Sequence, residues 1–194
     1  DIINADSAAP EDESDLSAPF KTMFDDNNFY IFMEVTDSVI DYEFSDWQGD
    51  GVEIYFDGDN SNGTSYDGVN DNQIRITVDD VALADIDSSL PVDGTVFKVV
   101  LTATGYNIEA SFPLEALQIY PSEDPAPLVD ADGVEIPNSG IAPNNIIGFE
   151  VQINDNDSAG GRQTMMRWHS DDNGSWGNAS LFGQARMVSS TDEN

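Results

Sequence analysis

The sequence has no cysteine, a single histidine and only six lysine and arginine residues among 194, and each scarcity narrows the functions open to it. Without cysteine there are no disulfides and no zinc–thiolate sites. Six basic residues stand against 38 acidic ones, so the formal net charge is -32 and nucleic acids or anionic lipid surfaces would be repelled. No apolar run approaches the roughly 20 residues that cross a bilayer. We therefore expect no nucleic-acid partner and no membrane partner.

The excess of acid is compatible with three settings. Self-repulsion lowers folding stability unless salt screens the charge or divalent cations neutralise clusters of carboxylates. A saline, halophilic habitat, bound calcium and the general solubility of a secreted acidic protein all fit this composition. We expect an extracellular protein, either secreted or held at the cell surface.

Short runs rich in aromatic and β-branched residues alternate with Gly-, Asn- and Asp-rich clusters along most of the chain. This pattern predicts strands joined by turns, and helical periodicity is nearly absent apart from a turn at 114–117. We expect an all-β fold, an antiparallel β-sandwich of immunoglobulin-like or jelly-roll-like form with long acidic loops. The predicted strands are 20–24, 29–37, 51–57, 73–78, 97–104, 105–113, 146–154, 163–168 and 183–188.

The predicted domain covers 20–188, and an acidic tail or linker follows at 189–194. Residues 1–19 are predicted to be an irregular acidic lead-in, with the remainder of a truncated first-strand region as the alternative. A Pro- and Asp-containing loop at 120–145 is long enough to be functional, metal-tied or mobile. If the chain begins without its first strand, an unpaired sheet edge would invite a strand from another chain. We expect other domains of a longer secreted protein as partners, and copies of the chain itself as an alternative.

Two tryptophans lie in polar surroundings. Trp47 precedes the strand GVEIYF and is predicted on the rim of the sandwich. Trp176 lies in the polar loop HSDDNGSWGN, where a large aromatic either plugs one end of the sandwich or offers its face to a ligand. Trp168, within the strand-like MMRWH, is predicted to pack in the core.

Polar residues interrupt the apolar strand runs at Glu53, Arg75 and Gln152, and Asn173 comes three residues before Trp176. Each strand position is equally compatible with a solvent-facing side chain. Arg75 suits bidentate contacts with hydroxyls, although an ion pair with Glu53 competes with that interpretation. Arg162 and Arg167 are expected to pair with nearby carboxylates.

Clustered oxygen ligands on turns predict calcium, because hard cations prefer carboxylate and amide oxygens. The clusters are DGDNSNG at 57–63, DADG at 130–133 and NDND at 154–157. The predicted metal ligands are Asp57, Asp59, Asn60, Asp155 and Asp157.

Four segments carry a family resemblance: WQGDGVEIYFD at 47–57, GYNIEASFP at 105–113, GFEVQIND at 148–155 and SWGNASLFG at 175–183. In this order, with an Arg-bearing strand before the last, the chain resembles the family 9 carbohydrate-binding modules. The resemblance implies a non-catalytic module that clamps a terminal sugar between Trp47 and Trp176. It also implies structural calcium and, as ligands, the reducing ends of plant-wall glucans and xylans. The chain departs from the family in lacking the opening Gly-x-x-Asp-x-x-Trp segment and in its loop at 120–145.

We therefore expect a calcium-stabilised binding module and not an enzyme, with a plant-wall-type or marine polysaccharide or oligosaccharide as partner. The sugar-binding residues are predicted to be Trp47, Trp176, Glu53, Arg75, Gln152 and Asn173. The alternative is a structural subunit of an extracellular assembly that associates through an incomplete sheet edge. A haem-binding electron-transfer domain would need axial ligands such as methionine with histidine or lysine, and no spacing in the sequence suggests such a pair.

Overall fold

The computed structural model of the protein describes residues 2–3, 8–44, 46–78, 86–119, 128–129, 135–136, 146–158 and 160–187. Regular structure within these residues is almost entirely β, with one short 3-10 helix at Ala179–Leu181. The strands are β1 (Ile2–Ile3), β2 (Leu16–Ser17), β3 (Phe20–Phe24), β4 (Asn28–Asp37), β5 (Gly51–Asp57), β6 (Asp71–Thr77), β7 (Ile86–Ser88), β8 (Val96–Leu101), β9 (Gly105–Pro113), β10 (Leu128–Val129), β11 (Glu135–Ile136), β12 (Ile146–Asp155), β13 (Thr164–Arg167) and β14 (Gly183–Arg186).

These strands form two main sheets. Sheet A has the order β1-β13-β12-β5-β6-β7, and β14 also pairs with β12. Sheet B has the order β2-β4-β9-β8, and β3 also pairs with β4. The named strands pair antiparallel in both sheets, and β10 and β11 form a separate short pair. The prediction of an antiparallel β-sandwich is thereby confirmed.

The core lies between the two sheets, because alternate residues of each strand point inward. Phe29 of sheet B contacts the rings of Phe56 and Phe149 of sheet A, with centroid separations of 5.2 and 5.6 Å. All three side chains are at most 4% exposed. Burying a side chain of this size stabilises the fold by about 1.5–3 kcal/mol.

The outer face of sheet A is also covered. Tyr55 points away from the core that holds Ile54 and Phe56, yet it is fully buried. It packs against Ala179 and Phe182, so a loop lies over this face of the sheet. Polar side chains on the outer face of sheet A are consequently shielded from water, and they form the site described below.

The N-terminal region differs from its prediction. The expected lead-in at 1–19 is not wholly irregular, because β1 pairs with β13 and β2 pairs with β4. Leu16 is only 1% exposed and belongs to the core. Strand β13 therefore pairs with β12 on one side and with β1 on the other. An irregular lead-in would have left this second edge of β13 unpaired.

The other predicted elements follow the observed strands to within a few residues. The predicted turn at 114–117 is present, with the Leu117 N–H donating to the Pro113 carbonyl at 3.1 Å. The tail at 189–194 and most of the loop at 120–145, including DADG at 130–133, lie outside the described residues. No helix in the described part of the chain has the length and apolarity needed to span a membrane.

Candidate functional site

A row of polar side chains crosses the outer face of sheet A. Gln152 on β12 lies opposite Arg167 on β13 and opposite Glu53 on β5. Glu53 in turn lies opposite Arg75 on β6. Paired residues of antiparallel strands point to the same face, so the four side chains form one continuous polar row, here called the floor. Glu53, Gln152 and Arg167 are each no more than 2% exposed.

Glu53, Arg75 and Gln152 of the floor line a cleft of about 350 Å³. Trp47 and Trp176 contribute to its walls, and Asn173 contributes from the loop before Trp176. The cleft is lined by Trp47, Glu53, Tyr55, Gln73, Arg75, Gln152, Arg162, Asn173 and Trp176. The structure thus brings all six residues predicted to bind sugar into one cavity of a size usual for small-ligand sites.

The carboxylate of Glu53 is the centre of the floor's hydrogen bonds. It accepts from the Tyr55 hydroxyl, from Gln73 Nε2 at 2.6 Å and from Asn154 Nδ2 at 2.8 Å. Burial, with the nearby charge of Glu53, raises the pKa of Tyr55, so its hydroxyl keeps the proton that it donates. A buried carboxylate needs such donors because desolvating an unpaired charge is very costly. The donors hold Glu53 in one position beneath the cleft.

Arg167 joins the floor to the loop that carries Trp176. Its guanidinium donates to Gln152 Oε1, to Ser175 Oγ at 2.6 Å and to the Asp172 carbonyl at 2.5 Å. The sequence predicts carboxylate partners for Arg167, and its hydrogen bonds go to neutral groups instead. The indole of Trp176 is 66% exposed, so the structure excludes the alternative in which it plugs the sandwich.

Arg162 joins the floor to Trp47. Its guanidinium carbon lies 5.0 Å from the centroid of the Trp47 ring, which is 49% exposed. Its Nη1 donates to Asn154 Oδ1 at 2.9 Å, and Gln152 Nε2 donates to the same oxygen at 2.7 Å. Burial lowers the pKa of Arg162, although a guanidinium remains charged at neutral pH. The expected pairing of Arg162 with nearby carboxylates is replaced by this contact with an aromatic ring and an amide.

Sequence patterns did not place Tyr55, Gln73 and Arg162 among the cleft residues. A usable signal exists for two of them, because Tyr55 lies two residues after Glu53 and Gln73 two residues before Arg75. Residues two apart on a strand share a face. Arg162 has no such signal, since it comes from a loop.

The predicted core position of Trp168 is wrong in part. This side chain is 37% exposed, with one face packed against Phe149 at 5.8 Å and Phe20 at 6.2 Å between ring centroids. Its backbone N–H donates to Glu150 Oε1, and those of His169 and Ser170 donate to the same carboxylate. Trp168 therefore lies outside the cleft, at the margin of the core.

A cluster of three aspartates lies near the cleft. Asp37 at the end of β4, Asp50 just before β5 and Asp155 at the end of β12 place carboxylate oxygens within 4.8 Å of one another. Each is no more than 4% exposed. We call these three residues the triad. Of the predicted metal ligands, only Asp155 belongs to it.

The triad carries more buried charge than its hydrogen bonds satisfy. Burial, reinforced by the other two carboxylates, raises the pKa of Asp37 to about 8, and burial raises the pKa values of Asp50 and Asp155 to about 7. Among the described residues, one carboxylate oxygen of Asp37 and one of Asp155 have no hydrogen-bond partner. The hydroxyl of Tyr106, which is fully buried and feels the charge of all three acids, also has none in this part of the chain. These unpartnered oxygens are the donor set that a hard cation requires.

The predicted metal ligands at 57–60 are arranged differently. The carboxylate of Asp57 accepts the N–H groups of Ser61 at 3.0 Å and Asn62 at 2.8 Å, and Asp59 accepts that of Ser61 at 3.1 Å. Asn60 has a left-handed φ of 55°. These bonds build a turn, and calcium binding at 57–60 stays a prediction. Asp157 lies outside the triad, although its charge raises the pKa of Asp155.

Comparison with curated proteins gives several xylanases and related enzymes. The chain is 28% identical over 177 residues to endo-1,4-beta-xylanase A of Thermotoga neapolitana, covering 91% of the chain and 14% of that protein. It is 27% identical over 173 residues to exoglucanase XynX of Acetivibrio thermocellus, covering 89% of the chain and 14% of that protein. The chain thus spans about 14% of the length of these relatives.

Comparison with solved structures gives a carbohydrate-binding module of family 9 from Caldicellulosiruptor kristjanssonii. Its complex with cellotriose has a TM-score of 0.71 and 26% identity, with 97% of this chain and 83% of that chain covered. Its complex with glucose has a TM-score of 0.70 and 25% identity, with 100% and 87% covered.

The family resemblance inferred from the sequence motifs is confirmed. A model of the family described as "Carbohydrate family 9 binding domain-like" matches residues 2–190, beyond both ends of the predicted domain. Since this is a family of carbohydrate-binding domains, the prediction of a binding module and not an enzyme is also confirmed. The chain belongs to the family 9 carbohydrate-binding domains.

Proposed function

We propose that this domain holds the terminal sugar of a plant-wall-type glucan in the cleft, with Trp47 on one side of the ring and Trp176 on the other. The ligands of the related module support this choice, because glucose and cellotriose have a terminal glucose unit in common. A site that accepts both needs to recognise only that unit.

One observation carries the proposal: the six residues that the sequence motifs indicate come from separate segments of the chain, and all of them line a single cleft. Two of them are tryptophans that are 49% and 66% exposed, which leaves apolar ring surface in contact with water. Sugar rings present C–H groups on their faces and hydroxyls around their edges. The indoles suit the faces, and the floor suits the edges.

The polar residues would satisfy the hydroxyls. A buried hydroxyl without a partner costs about 1–3 kcal/mol, so a clamp of two aromatic rings alone would bind poorly. Glu53 supplies a charged acceptor, Arg75 supplies donors in a planar fork, and the amides of Gln152 and Asn173 supply both kinds of group. Arg162 and Gln73 extend this set on either side.

Calcium is proposed to occupy the triad. Asp37, Asp50 and Asp155 would hold it, because they provide buried carboxylates with unpartnered oxygens. Bound there, a divalent cation supplies positive charge that offsets the mutual repulsion of the three acids. Calcium at 57–60 is a further proposal that rests on the sequence pattern alone.

The setting of the domain is proposed from the same relatives. They are about seven times longer than the matched region, at 14% coverage, so this domain is expected to act beside other domains of a secreted protein. Self-association through a sheet edge stays a sequence-based prediction that sedimentation velocity measurements test.

Isothermal titration calorimetry with cellotriose and with its alditol, cellotriitol, tests the function. We expect saturable binding of cellotriose with one site per chain, and loss of binding when the reducing-end ring is opened by reduction. Trp47→Ala is expected to weaken binding at least tenfold, since it removes one wall of the clamp. Equal affinity for cellotriose and cellotriitol would refute recognition of the reducing end. Unchanged affinity in Trp47→Ala would refute the clamp.

A further inference from the structure

The triad is connected directly to the wall that carries Trp47. The two carboxylate oxygens of Asp50 accept the backbone N–H groups of Asp41 at 2.6 Å and Asn156 at 2.7 Å. Asp41 and Asp50 bound the segment in which Trp47 lies. One triad carboxylate thus ties both ends of this segment together and fastens it to the residue that follows β12.

Asp155 connects the triad to the other part of the same wall. Its carbonyl accepts the N–H of Gln163 at 2.9 Å. The preceding residue, Arg162, lies over the ring of Trp47 and donates to Asn154. Asn154, which is adjacent to Asp155, is hydrogen-bonded to Glu53 and Gln152 of the floor.

The two segments also meet outside the triad. Gly161 has a φ of +87°, and a Cβ at this position would lie 3.1 Å from Gln48 Oε1. The left-handed φ favours glycine here, and any side chain would also require Gln48 to shift. The position of Trp47 therefore depends on two segments that approach each other, one that ends at Asp50 and one that begins at Asp155.

We propose that a divalent cation bound by Asp37, Asp50 and Asp155 raises the affinity of the cleft for sugar by holding the Trp47 and Arg162 segments together. This inference rests on the proposed function. The ligand atoms of these three buried carboxylates lie within 4.8 Å of one another and repel when the acids are ionised, so that without a cation conformations that separate the two segments gain population. A sugar that needs Trp47 in place binds only the conformation in which the two segments are held together. The effect must be reciprocal, so that sugar raises the affinity for the cation by the same factor.

The coupling is measured on the whole chain at fixed pH and ionic strength. Cellotriose is titrated into protein stripped with a chelator and into protein saturated with calcium chloride. Calcium chloride is then titrated with and without saturating cellotriose. We expect the two ratios of affinity to agree and to lie in the range of about 5- to 150-fold that is usual for coupled sites.

A second measurement does not depend on sugar. The chain has three tryptophans, so the double variant Trp168→Phe, Trp176→Phe leaves Trp47 as the only one. Calcium chloride is expected to lower the acrylamide quenching of Trp47 fluorescence as the wall becomes ordered. Asp37→Asn is expected to shift this transition to higher calcium concentration. Glu109→Gln, an exposed acid on β9 of the opposite sheet, makes the same charge change and is expected to leave it unchanged.

The outcomes separate the coupling from the proposed function. Calcium binding that leaves both the cellotriose affinity and the Trp47 quenching unchanged would overturn the coupling while the sugar site stands. Calcium affinity that is the same in Asp37→Asn as in the unmodified chain would overturn it as well. Calcium-dependent quenching of Trp47 in a protein that binds no sugar would support the mechanical link and refute the proposed function.

Discussion

Trp176 and Trp168 lie eight residues apart, and the structure predicts opposite consequences for their replacement by alanine. Trp176 lines the cleft and is 66% exposed, whereas Trp168 lies outside the cleft, packs on two phenylalanines and is 37% exposed. The first change is therefore expected to lower sugar affinity and the second to lower the free energy of unfolding.

The magnitudes follow from the exposed surfaces. A tryptophan side chain offers about 250 Å² at most, so about 165 Å² of Trp176 is open to water at 66% exposure. A sugar ring that covers half of this buries about 80 Å², which corresponds to about 2 kcal/mol or roughly 30-fold in affinity. Trp168→Ala removes a largely buried ring and is expected to cost about 2–4 kcal/mol of stability.

Calorimetry with cellotriose and urea unfolding are applied to both variants. Trp176→Ala is expected to lose about 30-fold in affinity and no more than about 1 kcal/mol of stability. Trp168→Ala is expected to unfold at a lower urea concentration than the unmodified chain. At urea concentrations low enough for this variant to be folded, it is expected to bind cellotriose with nearly unchanged affinity. Normal affinity in Trp176→Ala, or a lost affinity in a folded Trp168→Ala, would refute the assignment of the cleft.

Three further predictions concern the groups beneath and beside the cleft. Arg167→Lys is expected to lose about 2–4 kcal/mol in chemical unfolding, because an ammonium cannot reach Gln152 and Ser175 together in the geometry of the guanidinium fork. It should also loosen the Trp176 loop and weaken cellotriose binding. Unchanged stability together with unchanged affinity for cellotriose would contradict the role given to this arginine. Glu53→Gln places an amide opposite donors such as Gln73, so the free energy of unfolding should fall by about 2 kcal/mol and the affinity for cellotriose should fall as well. Thermal unfolding measures the first effect and calorimetry measures the second. Burial raises the pKa of Asp71 to about 6, so its contribution to stability is full below pH 4 and is lost as the pH rises through about 6. Asp71→Asn in calcium-free buffer should therefore gain stability relative to the unmodified chain as the pH rises from about 4 to about 7, by roughly 1 kcal/mol after allowance for solvent screening, and a pH-independent difference would contradict this.

Much of the fold is predictable from local patterns. Alternating apolar residues in FYIFMEVTD and GVEIYFD predict strands with one face in the core, and the observed β4 and β5 begin and end within one residue of those predictions. The motifs around Trp47, Gln152 and Trp176 are specific enough to indicate the residues of the cleft. Such features can be predicted from the sequence because side-chain alternation and the residue preferences of turns depend on only a few neighbouring residues.

The strands at Ile2–Ile3 and Leu16–Ser17 escape prediction, since their surroundings are polar and acidic. Their partners on β13 and β4 provide the ladder positions that the local sequence does not indicate. The partners of Arg162 and Arg167 escape it as well. In so acidic a chain a carboxylate is the expected neighbour of any arginine, and only packing placed amides, carbonyls and an indole there.

Local sequence is sufficient for the strands, their inward faces and the kinds of side chain available for sugar recognition. Which polar residues are covered by loops, and which acids meet, depends on tertiary packing. Asp37, Asp50 and Asp155 are three of 38 acidic residues, and nothing local distinguishes them from the others. They come together because strand register and sheet packing bring the ends of β4 and β12 beside the start of β5. Register and packing are set by contacts between residues far apart in the chain, so the triad and its link to Trp47 exist only in the folded protein.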